Sequence, residues 1–372
     1  MDRRMPAATP DIVINGRFLT QLTAGVQRFA IETVRAMDKV LDEPAYAALK
    51  GHVELQAPKS ARDFPLKNIR LNRSGLTSGY LWEQIEFPLR TIGKLQLNLC
   101  MLGPVLKRRQ VLVIHDTSTK AMPEAFSKAF VAAYDFIIPN AARMADLVVS
   151  VSDFSRREMQ KYYGLDPKKI PICYEGSDHI LRHTPDNTIL DKLNLKPGQY
   201  FLGVGIYALN KNLNGTLAAL KKSGLKGVPL VATGKRRLDV HNKLATVNDE
   251  NLVDTGHITD NELRALYDNA LATVYPSTYE GFGLPPLEAM QCGCPAIVSD
   301  HDVLVEIGGD ATLRCGVNDV DSLAAAMKAV YSDPVLREKL KADGLKHAQL
   351  YTWDKTARIL LDLCRQVGAR RT

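Results

Sequence analysis

Residues 275 to 300 read YPSTYEGFGLPPLEAMQCGCPAIVSD, in which a glycine-containing turn separates two glutamates and two prolines follow the turn. The apolar residues before the turn predict a strand that ends at Tyr275. Gly281 and Gly283 permit backbone conformations and close approaches that other side chains forbid. The prolines suit the first turn of a helix, where no hydrogen-bond donor is lost, so we predict a helix from about Pro286 to Gln291.

This strand, turn and helix have the properties of an anion-binding site. Backbone N–H groups at a helix start and in the preceding turn are suited to a phosphate or diphosphate. Glu280 and Glu288 are placed to face the same pocket, where carboxylates accept hydrogen bonds from the hydroxyls of a sugar or ribose. An alternative role for Glu288 is to complement the helix dipole.

The rest of the chain alternates short apolar runs with helical periodicity. The predicted strands cover residues 11–16, 111–116, 146–152, 200–205, 228–234, 271–277 and 295–300. Apolar residues share one face over residues 26–37 and again over 260–270, and Thr259 and Glu262 have the spacing of a capping box at the second helix. β-Branched strands bounded by helices indicate parallel sheets buried on both faces, and hence an α/β fold.

The same pattern occurs twice, separated by a polar, strand-poor segment at 174–200. A chain of 372 residues also exceeds what one hydrophobic core usually supports. We therefore predict two doubly wound domains, residues 1–180 and 181–355, with a cleft between them. Functional residues are expected just after the strands, because ligands of such sheets bind at the carboxyl ends.

Composition excludes several classes of protein. The first residues lack the apolar core of a signal peptide and no apolar run approaches the ~20 residues of a membrane helix, so a cytoplasmic location is expected. The six cysteines form no Cys-x-x-Cys pair, which favours free thiols over a disulfide framework or a zinc site.

Charge is distributed unevenly along the chain. Residues 1–180 contain 25 Lys and Arg against 19 Asp and Glu, a balance of +6, whereas residues 181–372 contain 23 against 22, a balance of +1. The basic half suits an anionic membrane surface or a phosphate-bearing substrate, or is simply a basic solvated surface. Nucleic acid is not an expected partner, because zinc-finger spacing, RNA-recognition aromatics and long basic tracts are missing from the sequence.

Seven segments together resemble one known family. Besides the opening stretch they are AGVQRFAIETVRAM, WEQIEFPL, VLVIHDTS, VSDFSRREM, FLGVGIYALNKNLNGTLAAL and GHITDNELRALYDNA. They are similar to glycosyltransferase family 4, whose members are retaining enzymes with the GT-B fold of two Rossmann-like domains. The resemblance implies transfer of a sugar from a nucleotide-diphosphate sugar to a hydroxyl acceptor, without a catalytic metal or other cofactor. It also implies that the first domain binds the acceptor, that the second binds the donor, and that the last helix, about 356–372, packs back on the first domain.

The resemblance assigns roles in the second domain. Glu288 corresponds to the glutamate that binds the donor ribose, and Glu280 to the one that contacts the donor sugar. Lys211 corresponds to the lysine that neutralises the diphosphate leaving group. The turn whose backbone amides approach the donor consists of Gly281, Phe282, Gly283 and Leu284.

The sequence departs from the family pattern beside the lysine. Where many relatives have an additional arginine, this chain has Asn210 and Ile206. Lys235 is the candidate for the missing positive charge. His257 and Ile258 occupy the region that holds the nucleobase, mostly through backbone contacts.

In the first domain the resemblance points to Gly25 and His115. Gly25 corresponds to a glycine loop that faces the donor phosphate and the acceptor, although a simple turn or helix cap would also explain it. His115 corresponds to the histidine beside the donor sugar, so that His115, Lys211 and Glu280 are the predicted catalytic residues. Asp116 is interpreted as a structural hydrogen-bond partner.

Other functions remain to be weighed. Gly203-x-Gly205 is a weak sign of a dinucleotide-dependent oxidoreductase, since the third glycine is missing. A sugar-nucleotide epimerase and a non-catalytic nucleotide-sugar binding protein would share the architecture. Asp300-x-Asp302 and Asp319-x-Asp321 resemble a metal-binding signature of other transferases but lie beyond the two-glutamate stretch, and we interpret them as chance.

Donor and acceptor are predicted from the variants GVQRF and IHDT. These are similar to bacterial enzymes that add mannose or rhamnose in exopolysaccharide or lipopolysaccharide assembly, which favours GDP-mannose over a rhamnosyl or glucosyl donor. The expected acceptor is a glycan carried on a lipid at the inner membrane, with residues 106–110, LKRRQ, as a candidate contact with anionic lipid.

Overall fold

The structure is a computed structural model that describes residues 11–234 and 249–369. The chain divides into two compact units. Unit 1 contains the described residues up to Ala121, Lys128–Gly176 and the chain from Trp353, and unit 2 contains Met122–Ser127 and Ser177–Thr352.

Strands and helices alternate along the chain. The strands are β1 Ile12–Asn15, β2 Val53–Ala57, β3 Arg70–Arg73, β4 Leu95–Asn98, β5 Gln110–Ile114, β6 Leu147–Ser150, β7 Phe201–Val204, β8 Leu230–Thr233, β9 Leu252–Gly256, β10 Ala272–Tyr275, β11 Ala296–Ser299 and β12 Leu313–Cys315. The α-helices are α1 Gly25–Val40, α2 Gly79–Leu81, α3 Phe87–Arg90, α4 Ser118–Ala121, α5 Lys128–Met144, α6 Asp153–Tyr163, α7 Thr188–Lys192, α8 Leu213–Ser223, α9 Asp260–Asn269, α10 Leu284–Gln291, α11 Asp302–Gly308, α12 Val320–Ser332, α13 Pro334–Ala348 and α14 Trp353–Ala369. A π-helical segment, Trp82–Glu86, joins α2 to α3.

Each unit is built on one parallel sheet of six strands. The order is β3-β2-β1-β4-β5-β6 in unit 1 and β12-β11-β10-β7-β8-β9 in unit 2. Counted from the first strand of each unit, both sheets have the order 3-2-1-4-5-6 of a doubly wound nucleotide-binding fold. The prediction of an α/β fold with two doubly wound parallel sheets is therefore confirmed.

Burial explains why some strands were evident in the sequence and others were not. All seven predicted strands are present, each one to three residues shorter than predicted, and they are mostly buried on both faces. The strands β2, β3, β4, β9 and β12 were not predicted. In β4 every second residue is polar, yet Gln96 and Asn98 are fully buried, so its pattern does not look like that of a core strand.

The helix after the two-glutamate turn begins earlier than predicted. α10 starts at Leu284 with Gly283 as its N-cap, which places both prolines inside its first turn. The predicted start at Pro286 is thus two residues late. The capping box at α9 is confirmed, because Thr259 accepts a hydrogen bond from Glu262 N and the Glu262 carboxylate accepts one from Thr259 N.

The last helix belongs to unit 1 and packs against α1. Trp353 lies edge-on to Phe29 with ring centroids 5.8 Å apart, and Lys39 pairs with Asp354 at 2.6 Å. The buried face consists of Trp353, Thr356, Ala357, Leu360, Leu361, Cys364, Val367 and Gly368.

The cysteines are all free thiols, as predicted. Burial raises the pKa of the Cys100, Cys294 and Cys364 thiols to about 12 in each case. Among the described helices, none combines the length and apolarity that a membrane-spanning segment requires. Residues 11–234 and 249–369 contain no group of three His, Cys, Asp or Glu side chains arranged to hold a metal ion.

Candidate active site

The predicted donor residues of unit 2 lie at the carboxyl edge of its sheet. β7 and β10 are neighbouring parallel strands, and the loops that follow them meet where Thr278 N donates to Asn210 O at 2.8 Å. The loop after β7 contains a 3-10 turn, Leu209–Lys211, and the loop after β10 carries Glu280. This topology brings together two side chains that are 69 residues apart in sequence.

Lys211 and Glu280 form an ion pair at this edge. The ammonium group of Lys211 donates to Glu280 Oε1 and to the Tyr275 hydroxyl, and it lies 4.1 Å from the centre of the Tyr275 ring. Both charged side chains are largely enclosed, with 14% and 12% of their surface exposed. Burial raises the pKa of Tyr275 well above its usual value, and the charge of Glu280 adds to the effect. Tyr275 is therefore a neutral donor or acceptor at physiological pH.

The two positions that depart from the family pattern have local structural roles. The Asn210 amide donates to Tyr279 O at 2.7 Å and to Glu280 Oε1 at 3.0 Å, so it fixes the orientation of the carboxylate without adding charge. Ile206 is buried against Gly203, where a Cβ atom would lie 2.6 Å from its Cδ1. Lys235, the predicted second cation, lies outside the described residues.

The turn before α10 is held in a conformation that requires glycine. Gly283 has φ +102°, and a Cβ atom there would lie 2.6 Å from Leu304 Cδ2. Phe282 and Leu284 are buried, and the Phe282 ring lies edge-on to Tyr351. Because Pro285 and Pro286 lack N–H groups, only Leu284 and Leu287 among the first four helical residues carry a donor for an anion.

Glu288 is buried on α10 between two polar partners. His179 Nε2 lies 3.0 Å from its Oε1, and the Tyr267 hydroxyl donates to its Oε2 at 2.9 Å. Burial, followed by the charge of Glu288, raises the pKa of Tyr267 well above its usual value, so its hydroxyl keeps its proton. Glu288 is thus held by side chains from two other segments, which goes beyond the alternative role of complementing the helix dipole.

The predicted nucleobase region lies between β9 and α9. His257 is exposed, whereas the Ile258 side chain is half-buried and packs against the core that includes Val231 and Leu266. The Ile258 side chain therefore has a packing role in unit 2.

In unit 1, His115 directly follows β5 and is buried. Its Nδ1 lies 3.1 Å from Glu175 Oε1, its Nε2 lies 2.9 Å from Leu99 O, and Phe29 lies edge-on to the ring. Burial lowers the pKa of His115, but the hydrogen bond and charge of Glu175 and the Leu99 carbonyl outweigh it, so the pKa is raised. Two acceptors around one imidazole favour the doubly protonated ring.

A second polar cluster lies at the carboxyl ends of β1 and β4. Asn15 donates to Glu83 Oε1 and to Asn98 Oδ1, both at 2.9 Å, and Arg17 Nε donates to Glu83 Oε1 at 3.0 Å. Glu83 Oε2 is buried without a hydrogen-bond partner among the described residues. Burial raises the pKa of Glu83, although the charge of Arg17 opposes the effect. The carboxylate is carried by the π-helical segment, a type of irregularity frequent at functional sites.

Gly25 and the aspartates have simpler surroundings. Gly25 is the first residue of α1, and apart from its chain neighbours and the backbone of the same helix no atom lies within 4 Å of the place of a Cβ there. Asp116 accepts a hydrogen bond from Ser118 N at 2.7 Å, which confirms its structural interpretation. Of the Asp-x-Asp residues, Asp300 accepts from Val317 N and Asp319 caps α12, so both carboxylates have roles in the fold.

Sequence reasoning did not identify the residues that hold the predicted site. These are Glu175, His179, Tyr267 and Tyr275. The second polar cluster of Arg17 and Glu83 was not predicted either. Glu83 is the first glutamate of the segment WEQIEFPL, to which the family resemblance assigned no residue role. Its position on the buried face of this helical segment is the signal that could have identified it. His179 lies in the polar segment between the two repeats, where nothing in the sequence marks it.

Two Rossmann-like units with this strand order define the GT-B fold. The chain is similar to the solved structure of sucrose-phosphate synthase from Thermosynechococcus elongatus, with a TM-score of 0.72 at 18% identity over 97% of this chain and 100% of that one. The strand order and the similarity to this solved structure together confirm the predicted GT-B fold.

Sequence comparison gives the family. Residues 186–347 match the family described as Glycosyl transferases group 1. O-antigen chain mannosyltransferase B of Escherichia coli is 33% identical over 256 residues, which are 66% of this chain and 67% of that protein. O-antigen chain mannosyltransferase RfbU of Salmonella typhimurium is 25% identical over 87% of this chain and 92% of its own. The chain belongs to the group 1 glycosyl transferases, the retaining glycosyltransferase family 4.

Proposed function

We propose that this protein transfers mannose from GDP-mannose to a hydroxyl of a lipid-linked oligosaccharide during bacterial exopolysaccharide or lipopolysaccharide assembly. Mannose is supported by the names of its relatives in Escherichia coli and Salmonella typhimurium. The protein would act on the cytoplasmic side of the inner membrane, with unit 2 binding the donor and unit 1 the acceptor.

The observation that carries the proposal is the meeting of Lys211 and Glu280 at the carboxyl edge of the second sheet. A diphosphate bound there competes with Glu280 for the ammonium group, and Glu280 is then free to accept hydroxyls of the sugar. As the C1–O bond breaks, negative charge develops on the leaving diphosphate. A positioned cation stabilises this charge, and one such contact is worth about 3 kcal/mol.

In this proposal, other residues of unit 2 make the remaining contacts with the donor. Glu288 receives the ribose hydroxyls, while the backbone of Gly281, Phe282, Gly283 and Leu284 approaches the diphosphate. His257 and Ile258 flank the base, and Lys235 adds a second cation. For unit 1 the proposal keeps the roles that the family resemblance gives to His115, beside the donor sugar, and to Gly25, facing the phosphate and the acceptor.

The reaction needs no nucleophile from the enzyme, because the acceptor forms the bond to C1 that the diphosphate gives up. The acceptor oxygen attacks C1 from the face that the diphosphate leaves, so the configuration is retained. Its proton passes to the departing phosphate oxygen. No other reactant is required.

A thermal-shift panel tests the nucleotide, using GDP, UDP, dTDP and ADP and their sugars. Ligands that bind only the folded state raise the midpoint. We expect GDP and GDP-mannose to raise it in the wild type but not in Glu288→Ala. The matched control is Glu338→Ala, which removes an exposed glutamate of α13.

A transfer assay tests the reaction. GDP-mannose should be consumed only when a lipid-linked glycan is present, with mannose recovered on the glycan. Consumption without an acceptor would favour an epimerase. No midpoint shift with any nucleotide, in protein shown to be folded, would overturn the proposal.

A further inference from the structure

Unit 1 exposes a row of aliphatic side chains on one helical surface. Leu81, Ile85, Leu89 and Ile92, called here the apolar stripe, are 60%, 53%, 63% and 76% exposed. Their spacing of four, four and three residues places them on one face of the helical run from Gly79 to Arg90 and just beyond its end. At 1.5 Å per residue the stripe is roughly 16 Å long.

The stripe belongs to a firmly packed element. On the opposite face Trp82, Glu83 and Phe87 are no more than 1% exposed, and the Trp82 and Phe87 rings stack with centroids 5.1 Å apart. The Trp82 indole N–H donates to Ser74 O at 3.0 Å. The helix therefore buries an apolar face and leaves a second apolar face in solvent, which a merely solvated helix would not do.

An adjoining loop extends this surface. The Gln84 side chain donates to Gly103 O at 3.1 Å and accepts from Val105 N at 3.0 Å, and Lys107 Nζ donates to Thr91 O at 2.7 Å. These bonds hold the loop of residues 103–107 alongside the helix. Within this loop the Leu106 side chain is 87% exposed.

Basic side chains flank the stripe. Arg90 and Lys94 lie beside Leu89 and Ile92 in the chain, and Lys107, which is held at Thr91, is followed by Arg108 and Arg109. Ion pairs place the Glu86 carboxylate beside Arg90 and the Glu54 carboxylate beside Lys94. The backbone N–H of Asp146 donates to Arg108 O, so Asp146 is a third acidic residue nearby. The Glu86 carboxylate accepts hydrogen bonds from the backbone N–H groups of Leu76 and Thr77, and Glu54 pairs with Lys94 at 3.4 Å. The balance of charge around the stripe is positive.

We propose that this surface, the apolar stripe with Leu106 and the flanking basic residues, docks on an anionic lipid bilayer. A leucine and isoleucine face bordered by lysine and arginine is the chemistry of helices that lie in the membrane interface, where the apolar side chains enter the headgroup boundary. Protein interfaces centre instead on aromatic anchors, and the stripe has none.

The position of the stripe suits a lipid-linked acceptor. Tyr80 lies next to its first residue, and the Arg17 guanidinium lies 5.0 Å from the Tyr80 ring centre. Arg17 follows β1, so one end of the stripe adjoins the polar cluster of Arg17 and Glu83 at the carboxyl edge of the sheet. Docking serves the reaction only if the acceptor is lipid-linked, and to that extent it rests on the proposed function.

Flotation with vesicles tests the docking. We expect the wild type to float with vesicles of phosphatidylglycerol and phosphatidylcholine at low salt, and much less with phosphatidylcholine alone or at high salt. Ile85→Asp and Leu89→Asp should each lower the bound-to-free ratio at least about tenfold, because each removes one apolar side chain from the interface. Arg108→Glu should lower it about fivefold or more on anionic vesicles.

The matched control is Val335→Asp in unit 2, which replaces another exposed aliphatic residue, 78% exposed, and should float like the wild type. Circular dichroism and the nucleotide-induced midpoint shift show whether each variant is folded. Wild type that stays unbound at low salt, or aspartate variants that float as well as the wild type, would overturn the docking.

Sedimentation without lipid distinguishes self-association. A wild-type dimer that both aspartate variants convert to monomer, with flotation equal in all three, would assign the stripe to a second copy of the chain and overturn the proposal. A nucleotide shift without flotation refutes the docking alone. Flotation without a nucleotide shift refutes the proposed function alone.

Discussion

His179 Nε2 lies 3.0 Å from Glu288 Oε1, and both side chains are buried. The Tyr267 hydroxyl holds the other carboxylate oxygen at 2.9 Å. Each carboxylate oxygen has a second acceptor position, so Glu288 can still accept ribose hydroxyls while its orientation is fixed. His179 and Tyr267 are thus positioning residues for the proposed ribose contact.

Replacement of His179 should weaken donor binding. A hydrogen bond to a charged group contributes about 1.5–3 kcal/mol, so His179→Ala should raise the KM for the donor about tenfold or more. The turnover number kcat should change less, because the proposed function places Glu288 at the ribose and away from the bond that breaks. Initial rates at varied donor concentration measure both constants.

His179→Gln is the rescue variant, since its amide nitrogen reaches nearly the same place as Nε2. Tyr267→Phe is the matched variant on the other oxygen, and it should also raise KM while preserving the ring. An unchanged KM in His179→Ala, with normal stability, would refute the positioning role.

Loss of Lys211 should affect turnover more than binding. Its ammonium group is paired with Glu280. Under the proposed function it turns to the diphosphate as the leaving group gains charge. Because preorganised electrostatic contacts act mostly in the transition state, Lys211→Ala should lower kcat by about 10²–10³. Lys222→Ala, which removes an exposed partner of Asp321, is the control and should leave kcat unchanged. A rise in KM alone would assign Lys211 to ground-state binding.

The strands that carry the proposed donor site were predictable because their short, mostly apolar runs are largely buried on both faces. The Lys211 and Glu280 loops could be placed at one edge because parallel strands end there together. The partners of Glu288 could not be predicted, since His179 is 109 residues away in sequence and sits in a polar segment without periodicity. Polar strands such as β4 were missed for a related reason: Asn98 is buried only because Asn15 and Gln110 from neighbouring strands satisfy it.

Gly283→Ala should destabilise unit 2. A positive φ is unfavourable for alanine, and the new Cβ would meet Leu304 Cδ2 at 2.6 Å, so a loss of about 2 kcal/mol in unfolding free energy is expected. Denaturant titration followed by circular dichroism measures it. A variant as stable as the wild type would show that the turn can adopt another conformation.

Gly25→Ala, in contrast, should leave stability intact and lower transfer activity. The site is open and lies at the start of α1, where alanine is the better helix former, so stability should be unchanged or higher by up to about 1 kcal/mol. If Gly25 leaves room for phosphate and acceptor, the same variant should lose transfer activity, measured as mannose incorporated per minute. Normal activity would reduce Gly25 to a simple helix start.

His115 and Glu175 should make stability depend on pH. The folded pKa of His115 is raised above its unfolded value of about 6.5, so the pair stabilises the fold fully below that pH and loses this contribution as the pH rises through the folded value. Breaking a buried pair costs on the order of 3 kcal/mol, so Glu175→Gln should be less stable than the wild type by about this amount near pH 6.

At alkaline pH the difference should shrink or reverse. Neutral His115 donates from Nε2 to Leu99 O, which leaves the Nδ1 lone pair facing the Glu175 carboxylate. The amide of Glu175→Gln instead donates to Nδ1, so the variant matches the neutral ring better than the wild type does. Denaturant titrations of both proteins from pH 5.5 to pH 9 measure the difference, and a constant gap across this range would show that His115 does not change protonation within it.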